Sequence, residues 1–405
     1  MARWRWVGLL VLLTLPALAA SGDPFAFFTP TTVVTGDDLG QLDRGEPIAR
    51  TLPAKGLEVA IFAAVPVSVD GNRLLSWMRQ IEALKKSAYV LAIGRFSNPP
   101  RIEDVAGLSL DDEDLSAIRA CRPRSCAVKL SADEMTDLQK AATESGGDWK
   151  APVQDAFRRL VLKRVQTYLA TGQTAAYQDQ RSPVSPAERF ASLLQQSAFL
   201  AEHLPRLAEQ LRNPPSPTSG VESFFYWSKE RLVRKAVISV TYVVMTRGHK
   251  PGEPDAIVAS KNIYATHYVE GSFAVTALMR GDPGRFNYLA YLNRSEVDVL
   301  RGPFMGLVRS VMQRRLKAEA ANVLAGLRRR LESGEPPMPI MTQRSPFNAF
   351  GFSRALTARR SRLLPATTVL QQQPRLESLR NILDEQRYSP FKGDPLSSTS
   401  ALHSA

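Results

Sequence analysis

The sequence predicts an α+β fold in which a curved antiparallel sheet is closed by a long C-terminal amphipathic helix and carries a helical hairpin insertion. Three observations predict it: strand-like runs on both sides of an all-helical stretch, turn signals between the later runs, and a sustained apolar stripe at 304–331. The chain has 405 residues, 44% of them hydrophobic and 22% charged, enough apolar surface to offset the entropy of ordering. With 28 Pro, 24 Gly and a mean hydropathy of -0.18, collagen-like repeats and polytopic membrane proteins are excluded.

Residues 1–19 read as an export signal. Arg3 and Arg5 form its positive start, Val7 to Leu18 its apolar core, interrupted by Thr14 and Pro16, and Ala17-Leu18-Ala19 its small-residue cleavage site. A membrane anchor would need a longer run, about 20 apolar residues. No Cys stands at the cleavage point to take a lipid. The expected compartment is therefore periplasmic or extracellular, and losing Arg3 and Arg5 lowers the formal charge of +13 by two. In that compartment Cys121 and Cys126, which flank Arg122-Pro123-Arg124-Ser125, are expected to form a disulfide. The rival zinc site lacks further His or Cys ligands nearby.

Residues 20–130 form the N-terminal strand-helix-strand part. Leu57 to Val69 is rich in Val, Ile and Phe, Leu74 to Leu84 has helical spacing after the turn Asp70-Gly71-Asn72, and Tyr89 to Phe96 is again strand-like. The acidic run Asp111 to Asp114 suits the first turn of a helix. Residues 131–220 are helical and serve as insertion or covering layer. Val153 to Tyr168 is a basic amphipathic helix, and Ser185-Pro186-Ala187-Glu188 caps a second one whose stripe runs to Leu211. Residues 221–333 hold an antiparallel meander, with strands at Lys235 to Thr246, Ala256 to Leu278 (one strand or two) and Phe286 to Asn293, followed by the final helix. Residues 334–405 are a basic tail expected to be disordered, with a short helix near Leu376 to Glu385.

This element order resembles the helix-grip arrangement of START-like, polyketide-cyclase-like domains, an analogy at the level of fold. Three segments also look like a family of exported bacterial proteins of unknown function: Phe224 to Glu230, Ala259 to Tyr268 and Tyr291 to Ser295. The START-like resemblance implies a cavity between the sheet and the last helix.

If that cavity is present, Tyr242, Tyr264, Tyr268 and Glu270 supply the few polar groups that orient a mostly apolar ligand, with Trp227 in the aromatic run at its mouth. On one continuous strand, Tyr264, Thr266, Tyr268 and Glu270 share a face and His267 points away. Core packing is an equally available role for the aromatic run. Asn293, Arg294 and Asp298 are read as structural, with an Arg-Asp pair fixing the turn before the last helix in preference to its other available role, binding a head group.

No phosphate-binding loop, His-Glu-x-x-His, nucleophile elbow or dinucleotide fingerprint occurs, so no cofactor and no metal are expected. Nucleic acid is not expected as a partner, because aromatics are not interleaved with the basic runs. The expected function is binding of a lipid or other hydrophobic small molecule, with an anionic membrane surface as a further partner of the basic helix faces. The competing readings are a hydrolase or isomerase with a Tyr/Glu-lined cleft, and a non-catalytic envelope scaffold.

Overall fold

The computed structural model describes residues 23–144, 147–213, 219–232, 235–248, 252–282 and 284–336. The expected export signal, residues 249–251 and the tail from 337 onward lie outside the described residues. Eight strands form one antiparallel sheet: β1 Ile48–Thr51, β2 Glu58–Val67, β3 Val90–Arg95, β4 Val221–Leu232, β5 Lys235–Arg247, β6 Ala256–Ala265, β7 Val269–Met279 and β8 Asn287–Val297. Their order is β1-β2-β8-β7-β6-β5-β4-β3, so β1 and β3 are two free edges and the sheet is open. The meander β4 to β8 forms its middle because hairpin-linked antiparallel strands pair with their sequence neighbours. The early strands then add at the flanks.

One face of this sheet is covered by helices α4 Asp112–Ala120, α5 Ala132–Thr143, α6 Lys150–Thr171, α7 Pro186–Gln195, α8 Ala198–His203 and α9 Pro205–Arg212, together with Phe25, Phe27 and Phe28. The helical stretch is thus a layer that shares its core with the sheet. The other face carries α2 Gly71–Arg79, α3 Ile81–Lys85 and the last helix, α10 Met305–Glu332, which packs along β1 and β2. A short helix, α1 Gly36–Asp43, precedes β1 and is closed at its start by a Thr35/Asp38 capping box.

Three local expectations are corrected. The stripe from Ser185 to Leu211 is broken into α7, α8 and α9, and Pro205 opens α9, where the missing N–H costs nothing. The run from Ala256, read as one strand or two, is two, with the chain reversing through Thr266-His267-Tyr268 and Tyr268 at φ 60°, which overturns the shared face expected of one continuous strand. Tyr264, Tyr268 and Glu270 therefore do not share one strand. In α10 only Ala320, Leu324 and Leu331 are fully buried, while Phe304, Leu307 and Val323 are exposed. Phe304 precedes the helix, and at 3.6 residues per turn Leu307 falls on the side away from the seam that holds Ala320 and Leu331.

Cys121 and Cys126 form a disulfide with Cα atoms 4.4 Å apart. The loop they close docks on the segment after α6: the Arg124 and Cys126 N–H groups donate to the Gln178 and Asp179 carbonyls. No helix of the described residues is long and apolar enough to cross a membrane.

Candidate functional site

Side-chain alternation sends Trp227, Tyr242 and Tyr264 to the helix-covered face, where all three are buried. Trp227 on β4 donates from Nε1 to the Asp104 carbonyl at 2.8 Å and lies against Gly94, where a Cβ would meet the indole at 2.6 Å. Tyr242 on β5 stacks on Phe225 with centroids 4.7 Å apart, and its hydroxyl accepts from Gln210 Nε2 at 3.5 Å. Tyr264 on β6 sits between Phe157 and Tyr177 with the Arg164 guanidinium 4.3 Å from its ring centroid. Burial pushes its hydroxyl well above the usual tyrosine range. These three rings belong to the layer that joins sheet and helices.

Tyr268 and Glu270 lie at the end of the sheet, in a network of charges. A bulge at Glu270 turns its carboxylate into the protein, where Arg301 Nη2 reaches both oxygens at 2.7 and 2.8 Å. Arg294 and Asp298 do not pair with one another as the sequence suggested. Arg294 bonds Glu58 at 2.6 Å, and Asp298 bonds the buried Lys129 at 2.8 Å. Burial pushes the Asp298 carboxyl up against the pull of Lys129. His267, also buried here, has Nδ1 3.0 Å from the Ala127 carbonyl and Nε2 3.0 Å from both Asp114 oxygens. Both nitrogens face acceptors, so neither is left to act as base toward a ligand.

The opposite face has a different character. Along β7, Phe273, Val275 and Ala277 are buried beneath the helices while Ser272, Ala274 and Thr276 are half-buried on the other side. The same holds on β8 for Tyr291, Asn293 and Ser295, and on β6 for Ser260 and Asn262. Register brings them together: Ala274 pairs with Ser260 and Asn293, Ser272 with Ser295, and Thr276 with Tyr291. The eight residues form a half-buried window in the sheet face bordered by α2, α3 and α10, with Tyr291 packed against the core beneath those helices. Apolar side chains of Ile61, Val243, Val258, Leu278 and Leu289 surround it and form the core beneath those helices.

Within the window, the Ser272 and Ser295 hydroxyls are 2.8 Å apart, and Ser295 Oγ donates to Asn293 Oδ1 at 2.9 Å. Burial pushes the Tyr291 hydroxyl up to about 12. None of the eight is charged. At the β4 side, Lys85 Nζ lies 2.5 Å from Glu230 and 3.4 Å from the Tyr226 hydroxyl, and Ser228 donates to Glu230 at 2.7 Å. Burial opposes the Lys85 charge, yet the facing Tyr226 and Glu230 oxygens hold its ammonium above the ordinary lysine value. This arrangement offers uncharged donors and acceptors next to apolar surface, with no hydroxyl set against a free base. Two cavities lie elsewhere, of about 680 Å³ at Asp43, Ser68 and Arg285 and about 530 Å³ at Glu134, Lys163 and Arg164, with the ion pairs Arg285–Asp43 and Arg164–Glu134 in their walls.

Sequence reasoning missed Ser260, Asn262, Ser272, Ala274, Thr276, Tyr291 and Ser295 as site residues and read Asn293 as structural only. The available signal was the repeated alternation of small polar with large apolar residues on three consecutive strands. Tyr226, Ser228 and Glu230 of β4 lie on this same face of the sheet. Among the described residues no group of three or more His, Cys, Asp or Glu could hold a metal ion. No family model, curated protein or solved structure matches the chain.

Proposed function

We propose that this chain is an exported binding protein for an amphiphilic small molecule, a lipid with an uncharged polar head, held on the sheet face beside the last helix. The supporting observation is the window itself: eight contiguous half-buried positions, seven of them with hydroxyl or amide side chains, surrounded by apolar packing. Such sites use a few placed polar groups to orient a ligand whose remaining surface is apolar. The absence of charge among the eight selects a hydroxyl or amide head over a phosphate, which would call for Arg or Lys. In this reading the ligand lies on an open sheet beside the last helix, which does not wrap it, while Tyr242, Tyr264 and Trp227 hold the sheet to its helical layer.

The full chain, purified from an exporting host and analysed by native mass spectrometry with organic extraction, is expected to carry an uncharged-head amphiphile. Ala274→Trp, which fills the window from a half-buried position without entering the core, is expected to abolish the adduct while leaving the melting temperature within a few degrees. An adduct retained by Ala274→Trp, or an unliganded native chain that takes up no added amphiphile, contradicts the proposal.

A further inference from the structure

The sheet end that carries the β6–β7 turn has large exposed apolar side chains on two separate elements. On the first turn of α10 these are Phe304 (60% exposed), Met305 and Leu307 (57%); on the β3–β4 edge they are Tyr89 (59%), Leu91 and Leu232. Register puts both sets at one end: the Arg231 N–H donates to the Tyr89 carbonyl, Leu232 pairs with Lys235, and Arg309 of α10 bonds the Gly56 carbonyl just before β2. Scattered exposed apolar residues need no explanation, but three gathered at the start of one helix mark a surface that meets something apolar, and the β3–β4 set lies at the same end of the strands on the opposite edge of the sheet.

Charge says what it meets. Helix α10 carries seven basic residues and two acidic ones. Arg314, Arg315 and Lys317, two to three turns behind Leu307, are exposed and have no ion-pair partner among the described residues. An apolar tip backed by unpaired guanidinium groups suits the bilayer boundary: the tip enters the acyl region while the long basic side chains stay at phosphate level. We propose that this end of the protein docks on an anionic lipid bilayer, with the first turn of α10 entering the interface. The proposal rests on these exposed side chains alone and stands whether or not the window holds a ligand.

Co-sedimentation of the full chain with phosphatidylcholine vesicles, with and without phosphatidylglycerol, tests it. Binding is expected only to the anionic vesicles and is expected to fall steeply with added salt. At about 1 kcal/mol for each basic residue near such a surface, Arg314→Glu/Arg315→Glu is expected to weaken it at least about thirtyfold. Phe304→Ser/Leu307→Ser is expected to weaken it about tenfold. Both variants change exposed positions, and an unchanged melting temperature verifies their fold. Equal binding to neutral and anionic vesicles, no binding to either, or variants that bind like the native chain would overturn the proposal. So would a concentration-dependent dimer in light scattering that Phe304→Ser/Leu307→Ser abolishes, since a second copy would then cover the patch.

Discussion

The two faces of the sheet are built from the same strands and end differently. On one, Phe62, Phe273, Leu292 and Val240 are fully sealed under six helices and the Phe25 to Phe28 segment. On the other, α2, α3 and α10 cover the margins and leave a polar window between them. A strand exposes alternate residues to each side, so one sequence can encode a core on odd positions and a binding surface on even ones. The difference teaches that side-chain parity separates a sealed core from a half-buried polar face, and if that face binds the proposed ligand, a substitution's effect on stability or on binding follows from which face it lands on.

The covered face should dominate stability. Phe62→Ala removes a fully buried ring that meets the Phe25 and Phe28 rings at 6.1 and 5.3 Å, and is expected to cost about 3–5 kcal/mol in urea unfolding. Arg294→Met strands the buried Glu58 carboxylate and is expected to cost a similar amount, about 3–5 kcal/mol. Either effect below about 1 kcal/mol would break the contrast between the faces.

Lys261 tests the same contrast with opposite sign. It points from β6 into the covered face, 3% exposed, with its ammonium 4.3 Å from the Phe190 ring centroid and 4.9 Å from that of Tyr168. Burial lowers its pKa to about 8 from 10.5. Between those values the unfolded chain binds the proton and the folded one does not, so stability should rise as pH goes from about 8 to 10.5. Lys261→Met is expected to remove this rise and to stabilise the protein near neutral pH, by at most about 3 kcal/mol. Unfolding at several pH values measures both. Reducing the Cys121–Cys126 bridge, whose partners are 5 residues apart, is expected to cost about 2 kcal/mol. The smallest effect belongs to the window, where Thr276→Val should change stability by about 0.5 kcal/mol or less.

Much of the architecture was legible in sequence because it depends on local pattern. Val, Ile and Phe enrichment marks β2 and β5, the Ser185 cap marks α7, and the two cysteines stand close enough to bridge. What was not legible depends on distant partners. Glu58 lies 236 residues from Arg294, and no local rule selects it over Asp298. The reversal at Thr266 to Tyr268 lacks Gly or Pro, so the run around it reads as continuous strand. The window was hidden for another reason: half-buried Ser, Thr and Asn on alternate positions look the same in sequence as a fully solvated sheet face. Only the placement of α2, α3 and α10 at its margins distinguishes the two.

The claim that the uncovered face is a binding surface is tested most directly by calorimetric titration of the native chain, Ala274→Trp and Tyr242→Phe with a monoacylglycerol below its micellar concentration. The account predicts saturable binding to the native chain, the same binding to Tyr242→Phe on the covered face, and none to Ala274→Trp. Binding that survives Ala274→Trp and is lost in Tyr242→Phe would contradict it and move the site beneath the helices.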